Sequence, residues 1–120
     1  MSMETMQPTA EWDGDAEVRD ALGREGLTYK VWGADWCGDC QAQLPAFAAA
    51  LDAAGVPADR IGQFPVDDDK RGDGVDEYGV EFIPTVVVER DGVEVARFVE
   101  DADVSIAEYL AARIGDRAEA

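Results

Sequence analysis

Trp36-Cys37-Gly38-Asp39-Cys40 is the stretch on which the reading of this chain turns. It holds the chain's two cysteines, behind the β-rich run Leu27–Ala34 and ahead of a helical pattern. A pair so spaced at a helix start can close a disulfide within one turn and open it again. The unpaired N–H groups of a first helical turn carry partial positive charge and favour a thiolate. A thiolate is the species that attacks disulfides. Thiol–disulfide exchange is therefore the leading expectation, with Cys37 attacking and Cys40 resolving. Cys37, nearer the helix start, is expected to be the more exposed and more acidic thiol. Gly38 and Asp39, between the thiols, are expected to tune the redox equilibrium.

Three other uses compete. Zinc takes four ligands, usually Cys and His. The chain has no histidine and no third cysteine, so only a dimer bridged through Cys37 and Cys40 of both copies completes a thiolate site. A permanent disulfide across two residues constrains the unfolded chain little. Inert buried thiols are common, but two at this spacing behind a tryptophan argue against them.

Outward from the motif, Leu27–Ala34 reads as a central strand, with Tyr29, Val31 and Trp32. Cys37–Ala54 reads as a long helix whose apolar stripe is Cys40, Leu44, Phe47 and Leu51. Pro45 inside it removes the bond to the Gln41 carbonyl and is expected to kink it. Gly55-Val56-Pro57 ends it. Asp15–Gly26 reads as an earlier helix with Val18, Ala21 and Leu22 on one face. Ile61–Val66 is a second strand, Val75–Gly79 a short helical turn, and Thr85–Glu89 a buried strand. Asp91-Gly92 signals a hairpin, and Val93–Phe98 is its return strand. Ser105–Glu108 is a capping box opening a helix with Ile106, Tyr109, Leu110 and Ile114 inward. Residues 1–12 read as a disordered leader and 13–120 as one domain. The first two strands are joined through a helix and should be parallel. The expectation is an α/β fold, a mixed central sheet flanked by helices on both faces.

The chain has 120 residues, of which 47% are apolar, enough for one core. It carries 27 acidic and 10 basic residues, a formal charge of −17. The acids are scattered rather than gathered in a tail. Such a surface argues against nucleic acid and anionic membrane as partners, since both need positive charge. Acid excess, two lysines (Lys30 and Lys70) and small apolar residues resemble proteins of salt-accumulating halophiles. The polar loop Asp67–Gly74 fails as a calcium loop. Counted from Asp67, Tyr78 stands where the twelfth-position Glu belongs, and counted from Asp69, Val80 does. The first residues have no basic n-region and no apolar h-region. No apolar stretch approaches the ~18 residues of a membrane span. A cytoplasmic location is expected, where a close cysteine pair is catalytic more often than structural.

These residues together resemble the thioredoxin superfamily, over roughly Leu27–Ile114. Trp36-Cys37-x-x-Cys40 follows a strand and opens a helix, with Pro45 where thioredoxins kink it. Ile83-Pro84-Thr85 resembles the family's Ile-Pro-Thr, whose proline is cis and faces the cysteines. Asp91-Gly92 fits the family's hairpin turn. The form Trp-Cys-Gly-Asp-Cys is similar to a thioredoxin-like subgroup rather than to the general reductases. The resemblance implies a thioredoxin-like fold and a protein-disulfide reductase. Substrate would be held by Trp36, Ile83 and Pro84, with the backbone before the proline free to pair with an extended chain. It implies disulfide-containing protein substrates, an electron-donating reductase, a monomer, and no cofactor or metal. The chain also departs from the family. Val31 stands where thioredoxins carry a buried Asp, and Gln63 where its lysine partner lies. Gly33 replaces a tryptophan, with Trp32 one residue earlier. Asp39 replaces the proline between the cysteines, and Glu100 a glycine on the substrate-facing loop. The family's N-terminal strand is not evident. These departures leave the alternative of a thioredoxin-like module that binds without turnover.

Overall fold

The computed structural model describes residues 4–8, 12, 14–69, 71–100, 102 and 104–118. Strand β1 (Leu27–Gly33) leads into helix α2 (Gly38–Ala53), after an earlier helix α1 (Ala16–Leu22). Strand β2 (Ile61–Pro65), short helix α3 (Val75–Tyr78), hairpin strands β3 (Thr85–Arg90) and β4 (Val93–Val99), and helix α4 (Ile106–Ala118) follow. The sheet order is β2-β1-β3-β4, with β1 parallel to β2 and antiparallel to β3. The helical crossover between β1 and β2 enforces their parallel pairing.

Alternation along the strands sorts side chains between two faces. On one face, the Tyr29 ring meets Phe47 of α2 edge-on, and its hydroxyl donates to the Leu22 carbonyl of α1 at 2.6 Å. Phe98 of β4 meets Tyr109 of α4 there, also edge-on. On the other face, Trp32 stacks on Phe64 at 4.9 Å and lies against Tyr78 of α3. Both faces are therefore covered, and Val86, Val87 and Val88 are all buried. That is why β3 is a continuous β-branched run instead of an alternating one.

The turns follow from backbone chemistry. Asp91 and Gly92 have φ of 53° and 83°, the two left-handed residues that a type I′ hairpin requires. Gly74 caps α3 at φ 79°, and a Cβ there would sit 3.0 Å from the Trp32 ring. The Ser105 hydroxyl accepts the Glu108 N–H and donates to its carboxylate, both at 3.2 Å, fixing the start of α4.

Two expectations are corrected. Helix α1 stops at Leu22, because Gly23 and the turn that follows leave the helical region before Gly26, whose φ is 84°. The expected disordered leader lies partly outside the described residues. Within it, Glu4–Met6 forms a 3-10 turn with Thr5 and Met6 buried. Met6 belongs to the hydrophobic core, which the turn joins at α2.

Candidate active site

Cys37 is the N-cap of α2, with extended backbone (φ −87°, ψ 123°). Its carbonyl accepts the Gln41 N–H at 2.9 Å, so the helix begins immediately behind its thiol. Cys40 lies one turn in, on the apolar stripe with Leu44, Phe47 and Leu51. The stripe faces the core, so Cys40 is 0% exposed while Cys37 is half-buried. Both cysteines are free thiols.

Burial pushes the Cys40 thiol up to about 12. A backbone hydrogen bond at Ala34 offsets part of this, and Cys37 and the Asp39 charge add to it. Cys40 therefore holds its proton at neutral pH. Asp39 is exposed in the first turn of α2, where its N–H has no intrahelical acceptor.

The sheet brings the other expected residues to the same end. Trp32 of β1 pairs with Thr85 of β3, so the chain leaving β1 toward Trp36 and Cys37 runs beside Ile83-Pro84. The Ile83–Pro84 peptide is cis. The Pro84 carbonyl accepts the Glu100 N–H at 2.7 Å, and the Glu100 carbonyl accepts from Gln43 Nε2 at 2.9 Å. The proline, the end of β4 and α2 are thus tied together. Trp36 is half exposed and donates from its indole to the Val66 carbonyl at 3.3 Å.

Ile83 differs from a surface contact residue. It is only 4% exposed, packed into the core beside the cis-proline. Among the described residues, the exposed apolar groups adjoining Cys37 or Pro84 in chain or register include Trp36 (52%), Phe82 (47%) and Val99 (40%). Phe82 and Val99 were not singled out in the sequence, since neither belongs to a motif. Their signal was position. Phe82 lies two residues before Pro84, and Val99 pairs with Thr85 just after it.

The replaced residues are also placed. Val31 pairs in register with Gln63, and Val31 is fully buried. No charge stands at either position. Trp32 does not stand in for a tryptophan at Gly33. Adjacent strand residues face opposite sides, and Trp32 lies on the α3 side with its indole N–H on the Asp73 carbonyl at 2.7 Å. Glu100 has φ 58°, a left-handed conformation suited to glycine.

On the β1–α3–β3 side, Lys30 Nζ pairs with Glu89 Oε1 at 2.7 Å and donates to the Tyr78 hydroxyl. The Glu89 carboxylate, then Tyr78, hold the Lys30 ammonium protonated above its usual range. Asp67, Asp68 and Asp69 bring their carboxylates together on the surface, all exposed.

A half-exposed thiol at a helix start, backed by a buried thiol one turn on, defines a dithiol–disulfide exchange site on an α/β scaffold. The Thioredoxin family model matches residues 26–112. A thioredoxin from Chlamydia pneumoniae is 34% identical over 84 residues, covering 70% of this chain and 78% of that protein. The solved structure of reduced thioredoxin 2 from Pseudomonas aeruginosa PAO1 is 32% identical, with a TM-score of 0.52, over 90% of this chain and 98% of its own. A mutant thioredoxin from Halobacterium salinarum NRC-1 shares the fold at 24% identity and TM-score 0.52, over 97% of this chain and 94% of its own. The chain belongs to the thioredoxin family. Family, fold and Cys37–Cys40 pair together make it a thiol–disulfide oxidoreductase.

Proposed function

We propose that this protein reduces disulfides in protein substrates, in the cytoplasm, as a monomer recharged by an electron-donating reductase. The observation that carries the reading is the division between the half-exposed Cys37 and the buried, proton-retaining Cys40. The Cys37 thiolate attacks one sulfur of the substrate disulfide. A Cys37–substrate bond forms, the substrate bond breaks, and the departing thiolate takes a proton. Cys40 then gives up its proton and attacks the Cys37 sulfur. The second substrate thiolate leaves and is protonated, and Cys37–Cys40 becomes the disulfide. Two electrons and two protons have passed to the substrate, and the reductase returns the equivalent pair. Trp36 shapes the rim, and the backbone at Ile83 and Pro84 holds the substrate chain. The chemistry uses no metal or organic cofactor.

The test is reduction of insulin by dithiothreitol with the protein present, in dilute buffer and in molar salt. Faster precipitation than dithiothreitol alone, lost in Cys37→Ser, is the expected result. No acceleration at either salt would favour a binding module without turnover, a reading that the uncharged Val31–Gln63 pair keeps alive. A metal-bridged dimer is disfavoured, because a fully buried Cys40 cannot reach an ion shared with a second copy.

A further inference from the structure

The loop that presents Cys37 is held at Asp35 from two directions. Cys37 N–H closes a turn onto the Ala34 carbonyl at 3.2 Å, with Asp35 and Trp36 at its tip. The Asp35 carbonyl accepts from Gln41 Nε2 of α2 at 2.7 Å. Its side chain reaches the other way. One carboxylate oxygen, Oδ1, accepts both the Thr5 N–H at 3.0 Å and the Thr5 hydroxyl at 3.1 Å. Asp35 is exposed, whereas Thr5 is 6% exposed and Met6 beside it is packed into the core. The N-terminal turn is therefore anchored through Met6, and it aims two donors at a carboxylate two residues before the attacking thiol.

We propose that Thr5 is a positioning residue for the exchange reaction. Acting through Asp35, it holds the Ala34–Cys37 turn and offsets the negative charge of a carboxylate two residues before the thiol. Two donors on one oxygen spread that charge and fix where it lies. Without the hydroxyl, the carboxylate carries a fuller charge on a looser loop that leads into the attacking thiol. The inference rests on Cys37 being the attacking thiol, as in the function proposed above.

The experiment is the rate of Cys37 alkylation by iodoacetamide at neutral pH, with the exchange equilibrium against glutathione measured on the same proteins. Thr5→Val keeps the shape but removes the hydroxyl. It should slow alkylation about threefold and shift the equilibrium about threefold toward the disulfide. Thr5→Ser restores the donor and should behave as the unmodified protein. Asp35→Asn removes the charge and should label faster. On that background, Thr5→Val should add no further slowing.

A Thr5→Val protein with unchanged rate and equilibrium would overturn the proposal. So would a Thr5→Ser protein as slow as Thr5→Val, or a full Thr5→Val effect without the Asp35 charge. Should Thr5→Val fail to fold, Asp35→Asn carries the test alone, and an unchanged labelling rate there overturns it. Labelling of Cys40 before Cys37 in the unmodified protein would instead sink the assignment of roles, and this proposal with it.

Discussion

Cys37 and Cys40 share a helix and a chemistry but not an environment. Cys37 caps α2 at its solvent end, and the stripe through Leu44 and Phe47 draws Cys40 into the core. That difference has a consequence for stability. The unfolded Cys40 thiol titrates near its ordinary 9.0, while the folded one keeps its proton to about 12. Between those values the folded state binds more protons than the unfolded state, so stability falls as pH rises through that window. The disulfide form has no such proton. The urea midpoint of the reduced protein should therefore drop relative to the oxidised protein as pH climbs past 9.0 toward 12. A constant gap would show that burial does not restrain this thiol. Asp39 acts on the same pair. Its charge disfavours a second negative charge nearby, so the reduced state gains less from thiolate formation. Asp39→Pro should make the reduction potential less negative, on a scale where ~30 mV is about 1.4 kcal/mol. Its N–H position in the first turn tolerates proline. A shift to more negative potential in glutathione equilibration would contradict this account.

Pairing between elements sets the surroundings of those residues. The end of β4 is tied to Pro84 and to Gln43 of α2 through the backbone of Glu100, which adopts φ 58° to make both bonds. A left-handed conformation costs a residue with a Cβ roughly 1–2 kcal/mol, and glycine escapes this at some entropic cost. Glu100→Gly should therefore stabilise the protein by about 0.5–1 kcal/mol in urea unfolding. A loss would mean that the Glu100 side chain makes contacts worth more than the backbone cost. On the opposite face, Lys30 of β1 joins Glu89 of β3 and Tyr78 of α3, with 26% and 12% of the Lys30 and Glu89 side chains exposed. Removing the ammonium leaves a largely buried carboxylate with a weaker partner. Lys30→Met should cost about 1–3 kcal/mol, and a double-mutant cycle with Glu89→Gln should show strong coupling. Additive effects would mean that the pair is no more than a screened surface contact.

Charge is a property of the whole molecule. A formal −17 on 120 residues, with acids on every polar stretch, makes the folded surface repel itself in dilute buffer. Salt screens that repulsion over Debye lengths of roughly 14 Å at ~0.05 M, falling below about 3 Å in the molar range. The melting temperature should rise in potassium chloride from about 0.05 M to ~3 M, the behaviour expected of a surface adapted to high salt. A flat curve would mean well-separated acids and an ordinary acidic protein. The order of elements, the hairpin at Asp91-Gly92, the capping box at Ser105 and the unequal exposure of the two cysteines were legible, because each rests on neighbours in the chain or on a short periodic pattern. Glu100's left-handed backbone, the burial of Ile83 against the exposure of Phe82 and Val99, and the docking of Thr5 on Asp35 were not. Each depends on segments far apart in sequence: β4 against Pro84, the sheet edge against solvent, residue 5 against residue 35. By itself the sequence determined which thiol begins a helix and which lies on its apolar face, since helical spacing decides that locally. Only the tertiary structure decided what surrounds the pair, because cross-strand register and chain packing bring together residues that no local pattern connects.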